Sequence, residues 1–140
     1  MMIINGENLI LGRLANYVAK AALLGEEIKI VNCEKVVVTG NKANIIGDYK
    51  HRIERGHNVA GPFYARQPDK LLRRAIRGML PYKVARGRDA YSRIFCYNQI
   101  PDALKNADLE TIDRVNINRN KAGKFVTLRT VCKEIGDYGR

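Results

Sequence analysis

The stretch MIINGENLILGRLANYVAKAALLGEEIKIVN, residues 2–32, decides the fold. Residues 2–5 are short and rich in β-branched side chains, Gly6 and Asn8 mark a turn, and residues 12–24 carry a helical period that Gly25 ends. Residues 28–32 follow as an apolar run without alternation, the pattern of a strand covered on both faces in a mainly parallel sheet. Strand, helix and strand in that order predict a βαβ unit. In the helix, Leu11, Leu14, Ala15, Val18 and Ala22 fall on one side, and Arg13, Asn16, Tyr17 and Lys20 recur on the other. One face packs, and the other meets solvent or a ligand.

Outward from this unit the chain keeps the same character. Residues 36–39 are a second buried-strand candidate, and Gly40 and Asn41 supply a loop and cap for a helix over 42–54, with Gly47 inside it at a cost of about 1 kcal/mol. Residues 56–67, with their glycines, Asn58 and Pro62, predict an extended loop. Pro68 suits the first position of a helix running to Met79, where its missing N–H costs nothing. Residues 81–88 read as an extended basic arm, opened by Pro81 and loosened by Gly87. Beyond it lie a strand at 94–97, a helical turn within 101–107 and an exposed loop at 116–123. Thr127 is placed to cap a helix over 128–135 that Gly136 stops. At 140 residues, with 46% apolar side chains, one domain over 1–140 is expected, with a core that needs neither disulfide nor metal.

Charge is the unusual quantity. The chain has 25 Lys and Arg against 14 Asp and Glu, a net charge of +11 and a pI near 9.8. Residues 51–88 hold ten of the bases and two of the acids, net +8, so the middle carries most of the surplus. On the helix that begins at Pro68, Lys70, Arg73, Arg74 and Arg77 share about 100° of arc, opposite Leu71, Leu72, Ala75, Ile76, Met79 and Leu80. Like charges at these spacings repel, and a phosphate partner relieves them. Lys83, Arg86 and Arg88 add a second basic element, and Tyr64, Tyr82 and Phe63 are candidates for stacking on unpaired bases. His51 and His57 read as surface groups beside the arginines. An RNA partner fits best.

Other classes fare poorly. No glycine-rich phosphate loop, dinucleotide fingerprint or nucleophile elbow is present, the two histidines and scattered acids give no metal cluster, and Ser92 is the only serine. Catalysis, cofactors, metals and a small-molecule substrate are therefore not expected. No apolar run reaches the roughly 20 residues of a spanning helix, and residues 1–11 lack the form of a secretory signal. Cys33, Cys96 and Cys132 are odd in number and never in a Cys-x-x-Cys pair, as expected of reduced thiols in the cytoplasm. Two rivals stand beside a structural RNA binder: a nucleotide-using α/β enzyme and a free regulatory RNA binder.

Leu11-Gly-Arg-Leu-Ala15, Val31-Asn-Cys-Glu-Lys35 with Thr39-Gly40, and above all Arg77-Gly-Met-Leu-Pro81 resemble the signatures of the large-subunit ribosomal protein L-thirteen family. Gly61-Pro62, Arg66, Pro68, Gly87 and residues 94–101 extend the likeness over nearly the whole chain. The lack of the longer bacterial insertion and tail, and the ending over 125–136, make it similar to the archaeal branch. The resemblance implies a three-layer α/β/α fold with a mainly parallel central sheet of about four strands. It also implies a structural, non-catalytic place in the large ribosomal subunit, against large-subunit rRNA and other large-subunit proteins, with a part in early assembly. The candidate rRNA-binding residues are Arg13, Lys20, Arg52, Arg55, Arg66, Lys70, Arg73, Arg74, Arg77, Lys83, Arg86 and Arg88, with Tyr64 and Tyr82 for base stacking.

Overall fold

The computed structural model describes residues 1–120 and 123–136. Its first elements are those read from residues 2–32: strand β1 (Met2–Asn5), helix α1 (Leu11–Leu23) and strand β2 (Ile28–Val31), with β1 and β2 parallel and Ile4 opposite Ile30. The α1 side chains Leu14, Ala15, Val18 and Ala22 are buried, as the helical period requires, and Gly25 turns the chain at φ +100°. After the 3-10 turn Cys33–Lys35 comes strand β3 (Val37–Thr39), then helix α2 (Lys42–Glu54), whose N-cap Asn41 accepts a hydrogen bond from the Ala43 N–H at 3.1 Å.

Helix α3 (Pro68–Met79) opens on Pro68, and the side chain of Asn98 accepts from the Asp69 N–H at 3.0 Å. It stops where it does because Leu80 precedes Pro81 and takes the extended conformation, ψ 148°, that a following proline favours. Helix α4 (Ala85–Ser92) leads into strand β4 (Ile94–Cys96), and the chain continues through 3-10 turns at Asp102–Leu104 and Asp113–Val115. Strand β5 (Phe125–Thr127) and helix α5 (Leu128–Glu134) complete it. Thr127 caps α5 through Oγ1, which accepts from the Thr130 N–H at 3.4 Å, and Gly136 follows at φ +107°. Residues 121 and 122 of the expected loop lie outside the described residues.

The α/β class with a mostly parallel sheet is as expected. Three strands form that sheet in the order β1-β2-β4, all parallel. The fourth expected strand joins a separate antiparallel pair, β3 with β5, in which Val38 faces Val126. Ile4, Ile28, Ile30 and Ile94 project from the parallel sheet into the main core, where they meet Leu14 and Val18 of α1, Leu72 and Ile76 of α3 and Ala90 of α4. On the opposite sheet face Ile3 and Val31 pack with Leu104 from the 3-10 turn. A second cluster joins Ile45 and Tyr49 of α2, Leu71 of α3, Val126 of β5 and Val131 of α5. Helix α3 thus contributes to both.

The expected extended arm at 81–88 is a correction. Residues 85–92 are helical, and Gly87 does not loosen them: a Cβ there would lie 2.1 Å from the Pro81 carbonyl oxygen. Glycine at this position lets two backbones touch. Lys83 remains in the turn before α4, whereas Arg86 and Arg88 ride on the helix itself.

Two glycines therefore predict opposite outcomes. Gly87→Ala should destabilise the fold by more than about 1 kcal/mol, whereas Gly47→Ala, with open space around its Cβ in α2, should stabilise it by about 0.5 to 1 kcal/mol. Urea unfolding followed by circular dichroism checks both. Leu72→Ala, at a fully buried position of the main core, should cost about 2 to 5 kcal/mol in the same measurement.

Candidate nucleic-acid interface

Four cations leave α3 together because its apolar residues have claimed the other arc. Leu71, Leu72 and Ile76 are buried; Lys70 and Arg77 are exposed; Arg73 and Arg74 are half-buried. Each of the three arginines lies over a tyrosine ring. The Arg74 guanidinium carbon is 4.2 Å from the centroid of Tyr64, that of Arg73 is 4.4 Å from Tyr91, and that of Arg77 is 5.1 Å from Tyr82. These are cation–π distances. The electron-rich faces attract the guanidinium planes, and a guanidinium stacked in this way can still donate hydrogen bonds from its exposed N–H edges. Arg73 leans inward, with its Nε buried.

The tyrosines are themselves fixed. Tyr82 and Tyr91 meet edge to face with centroids 5.5 Å apart, and Tyr64 meets Tyr49 edge to face at 6.3 Å. Burial pushes the Tyr49 hydroxyl up from its ordinary pKa. Tyr64 and Tyr82, expected as base-stacking platforms, thus each present one face to an arginine. Phe63 is the more open ring, 71% exposed.

The end of α2 joins this surface. Arg52, Arg55, Tyr64 and Arg74 line a hollow of about 350 Å³, and Arg55, His57, Phe63 and Arg66 line a neighbouring one of about 260 Å³. A hydrogen bond with Tyr64 raises the pKa of Arg52, whose guanidinium also lies 5.3 Å from the Tyr49 centroid. Arg55 donates to Nε2 of His51 at 3.2 Å, and Arg74 reaches the Phe63 carbonyl at 3.5 Å. Between the hollows the loop at 56–67 is tied into a short hairpin by paired backbone bonds between His57 and Gly61, 2.8 and 2.9 Å. Among the described residues the ion pairs are Lys35–Glu7 and Lys105–Asp102, so no cation of residues 51–88 is held in a close ion pair there, although the Asp48 charge acts on Arg52.

Two candidates lie elsewhere. Arg13 and Lys20 project from α1 into a separate cleft with Arg114. Sequence reasoning missed Arg114, since a lone cation in a loop carries no periodic signal. It also missed Arg93, which donates to the Ala22 carbonyl at 3.0 Å and closes the C-terminal end of α1.

Little here suits catalysis. The Cys33 thiol is buried and donates to the Ile30 carbonyl at 3.5 Å. The Cys96 side chain and burial push its pKa well up, which suppresses the reactive thiolate. Among the described residues no group of three His, Cys, Asp or Glu is placed to hold a metal ion, and no helix is long and apolar enough to cross a membrane.

The family described as Ribosomal protein L13 matches residues 1–103. The large ribosomal subunit protein uL13 of Methanosarcina barkeri is 44% identical over 137 residues, covering 97% of this chain and 98% of its own. That of Thermoplasma acidophilum is 40% identical over 138 residues, covering 99% and 100%, and that of Archaeoglobus fulgidus is 39% identical over 138 residues, covering 98% and 88%. With matches of this extent, the chain belongs to the ribosomal protein L13 family.

Proposed function

We propose that the chain is a structural constituent of the large ribosomal subunit that binds large-subunit rRNA and supports early subunit assembly, and hence translation. Its role is not catalytic. It acts as one unit over residues 1–140, within the ribosome in the cytoplasm, beside other large-subunit proteins. The observation that carries the reading is the uncompensated cationic arc of α3, with three guanidinium groups steadied on tyrosine faces.

Mechanistically, RNA segments that converge repel one another through their phosphates. Lys70, Arg74 and Arg77, with Arg73 behind them, neutralise phosphates on one side of the meeting point. Arg52, Arg55 and Arg66 do so across the adjoining hollows, and Lys83, Arg86 and Arg88 from the turn and first residues of α4. Rigid placement matters here because each side chain that is ordered before binding loses less rotamer freedom on contact. Arg13 and Lys20 extend the contact to α1. The counterions released from the RNA supply much of the driving force.

Two sets of three charge removals test the assignment. Lys70, Arg74 and Arg77 replaced by glutamine should lower the slope of log affinity for a large-subunit rRNA transcript against log salt by about 2 to 3. The same set should reduce incorporation into large subunits measured by sedimentation. Lys105, Lys124 and Lys133 replaced by glutamine remove the same charge and should change the slope by less than 1. Equal effects would overturn the placement of the site.

A further inference from the structure

Helix α1 turns a second, differently built surface outward. Its residues Tyr17 and Ala21, half-buried against the core, form the floor of a cleft with Ile112. Arg13, Lys20 and Arg114 stand at the rim, and the cleft encloses about 600 Å³. That volume lies within the roughly 300 to 1,000 Å³ of ligand sites. The arc of α3 is a row of cations over aromatic faces already occupied by arginines. Here no cation–π or ring–ring contact among the described residues involves Tyr17.

The rim is braced. Arg13 donates through Nη1 to the Asn120 side-chain oxygen, and the Asn120 amide donates to the backbone carbonyls of Arg114 at 3.2 Å and Asn116 at 2.7 Å. One asparagine therefore ties the guanidinium on α1 to the segment that carries Arg114 on the other side of the cleft. The lining has one carboxylate, Glu26, against three cations, so the rim favours an anion.

We propose that this cleft receives an unpaired RNA base, stacked on Tyr17, with the flanking phosphates held by Arg13, Lys20 and Arg114. A regular duplex presents phosphates and riboses on a convex surface and has nothing to put into an apolar recess. A base turned out of its helix brings a flat apolar face together with backbone charge, the two features the cleft combines. The proposal rests on the rRNA-binding reading above and specifies what this part of the surface recognises.

Fluorescence anisotropy with labelled octaadenylate and with an RNA duplex of matched length separates the two readings. Tyr17→Leu keeps apolar bulk on the helix but removes the aromatic face. It should weaken octaadenylate binding on the order of tenfold and leave duplex binding unchanged, while Tyr17→Phe retains both. No loss on octaadenylate, or equal losses on both probes, overturns the base site. Replacing Lys70, Arg74 and Arg77 by glutamine should weaken both probes, and if it weakens neither, the rRNA reading itself fails whatever Tyr17 does. The unaltered chain gives an independent measurement. Irradiated with an oligonucleotide carrying 5-iodouridine, it should bear its nucleotide adduct on Tyr17, and adducts confined to residues 63–91 would overturn the proposal. Protection of the cleft that requires added large-subunit proteins assigns it to a protein and likewise overturns it.

Discussion

Helix α3 must bury Leu71, Leu72 and Ile76 while keeping four cations on one arc, and the rest of the structure is arranged around that demand. The electrostatic term is modest: four like-charge pairs at i,i+3 and i,i+4 cost about 0.2 to 0.5 kcal/mol each. Burying one large aliphatic side chain contributes about 1.5 to 3 kcal/mol, so packing prevails. Because Leu72 and Ile76 enter the core under the parallel sheet and Leu71 enters the cluster with α2 and α5, the arc cannot turn without opening both. The direction of the charge is set by apolar contacts.

The tyrosines finish what packing begins. Tyr64, Tyr82 and Tyr91 come from the loop before α3, the turn after it and helix α4, so three different segments must be in place before the arginines are steadied. Gly87 is part of this, since its close approach to Pro81 allows α4 to begin where it does and brings Tyr91 to Arg73 and Tyr82. A backbone contact of this kind carries no charge, yet it orders the side chains of the cationic arc.

Much of this was legible in the sequence where the signal is local. The βαβ start, Pro68 at the head of α3, the Asn41 and Thr127 caps and the cationic arc all follow from residue types at fixed spacings. What escaped was non-local. Strand β5 is three residues long and takes its meaning from a partner more than eighty residues earlier, Val37–Thr39. Gly87 reads as freedom in a sequence and serves as closeness in the fold, because only the position of Pro81 tells the two apart. The pairing of Arg73 with Tyr91 was invisible for the same reason: the two lie eighteen residues apart along the chain. The division of the candidate cations between two surfaces was equally hidden, because Arg114 joins Arg13 and Lys20 only through the fold.

Net charge overstates what is available to a polyanion. Of the 25 basic residues, Arg93 is engaged on the Ala22 carbonyl, Lys35 and Lys105 are paired with Glu7 and Asp102, and Arg73 is partly sunk against Tyr91. Arg93, Lys35 and Lys105 each have a partner within the protein, so each has less to offer a polyanion. What remains is unevenly shared between α1, the end of α2, α3 and α4. Such a surface faces several directions, and on the reading proposed above it suits places where several phosphate groups approach together.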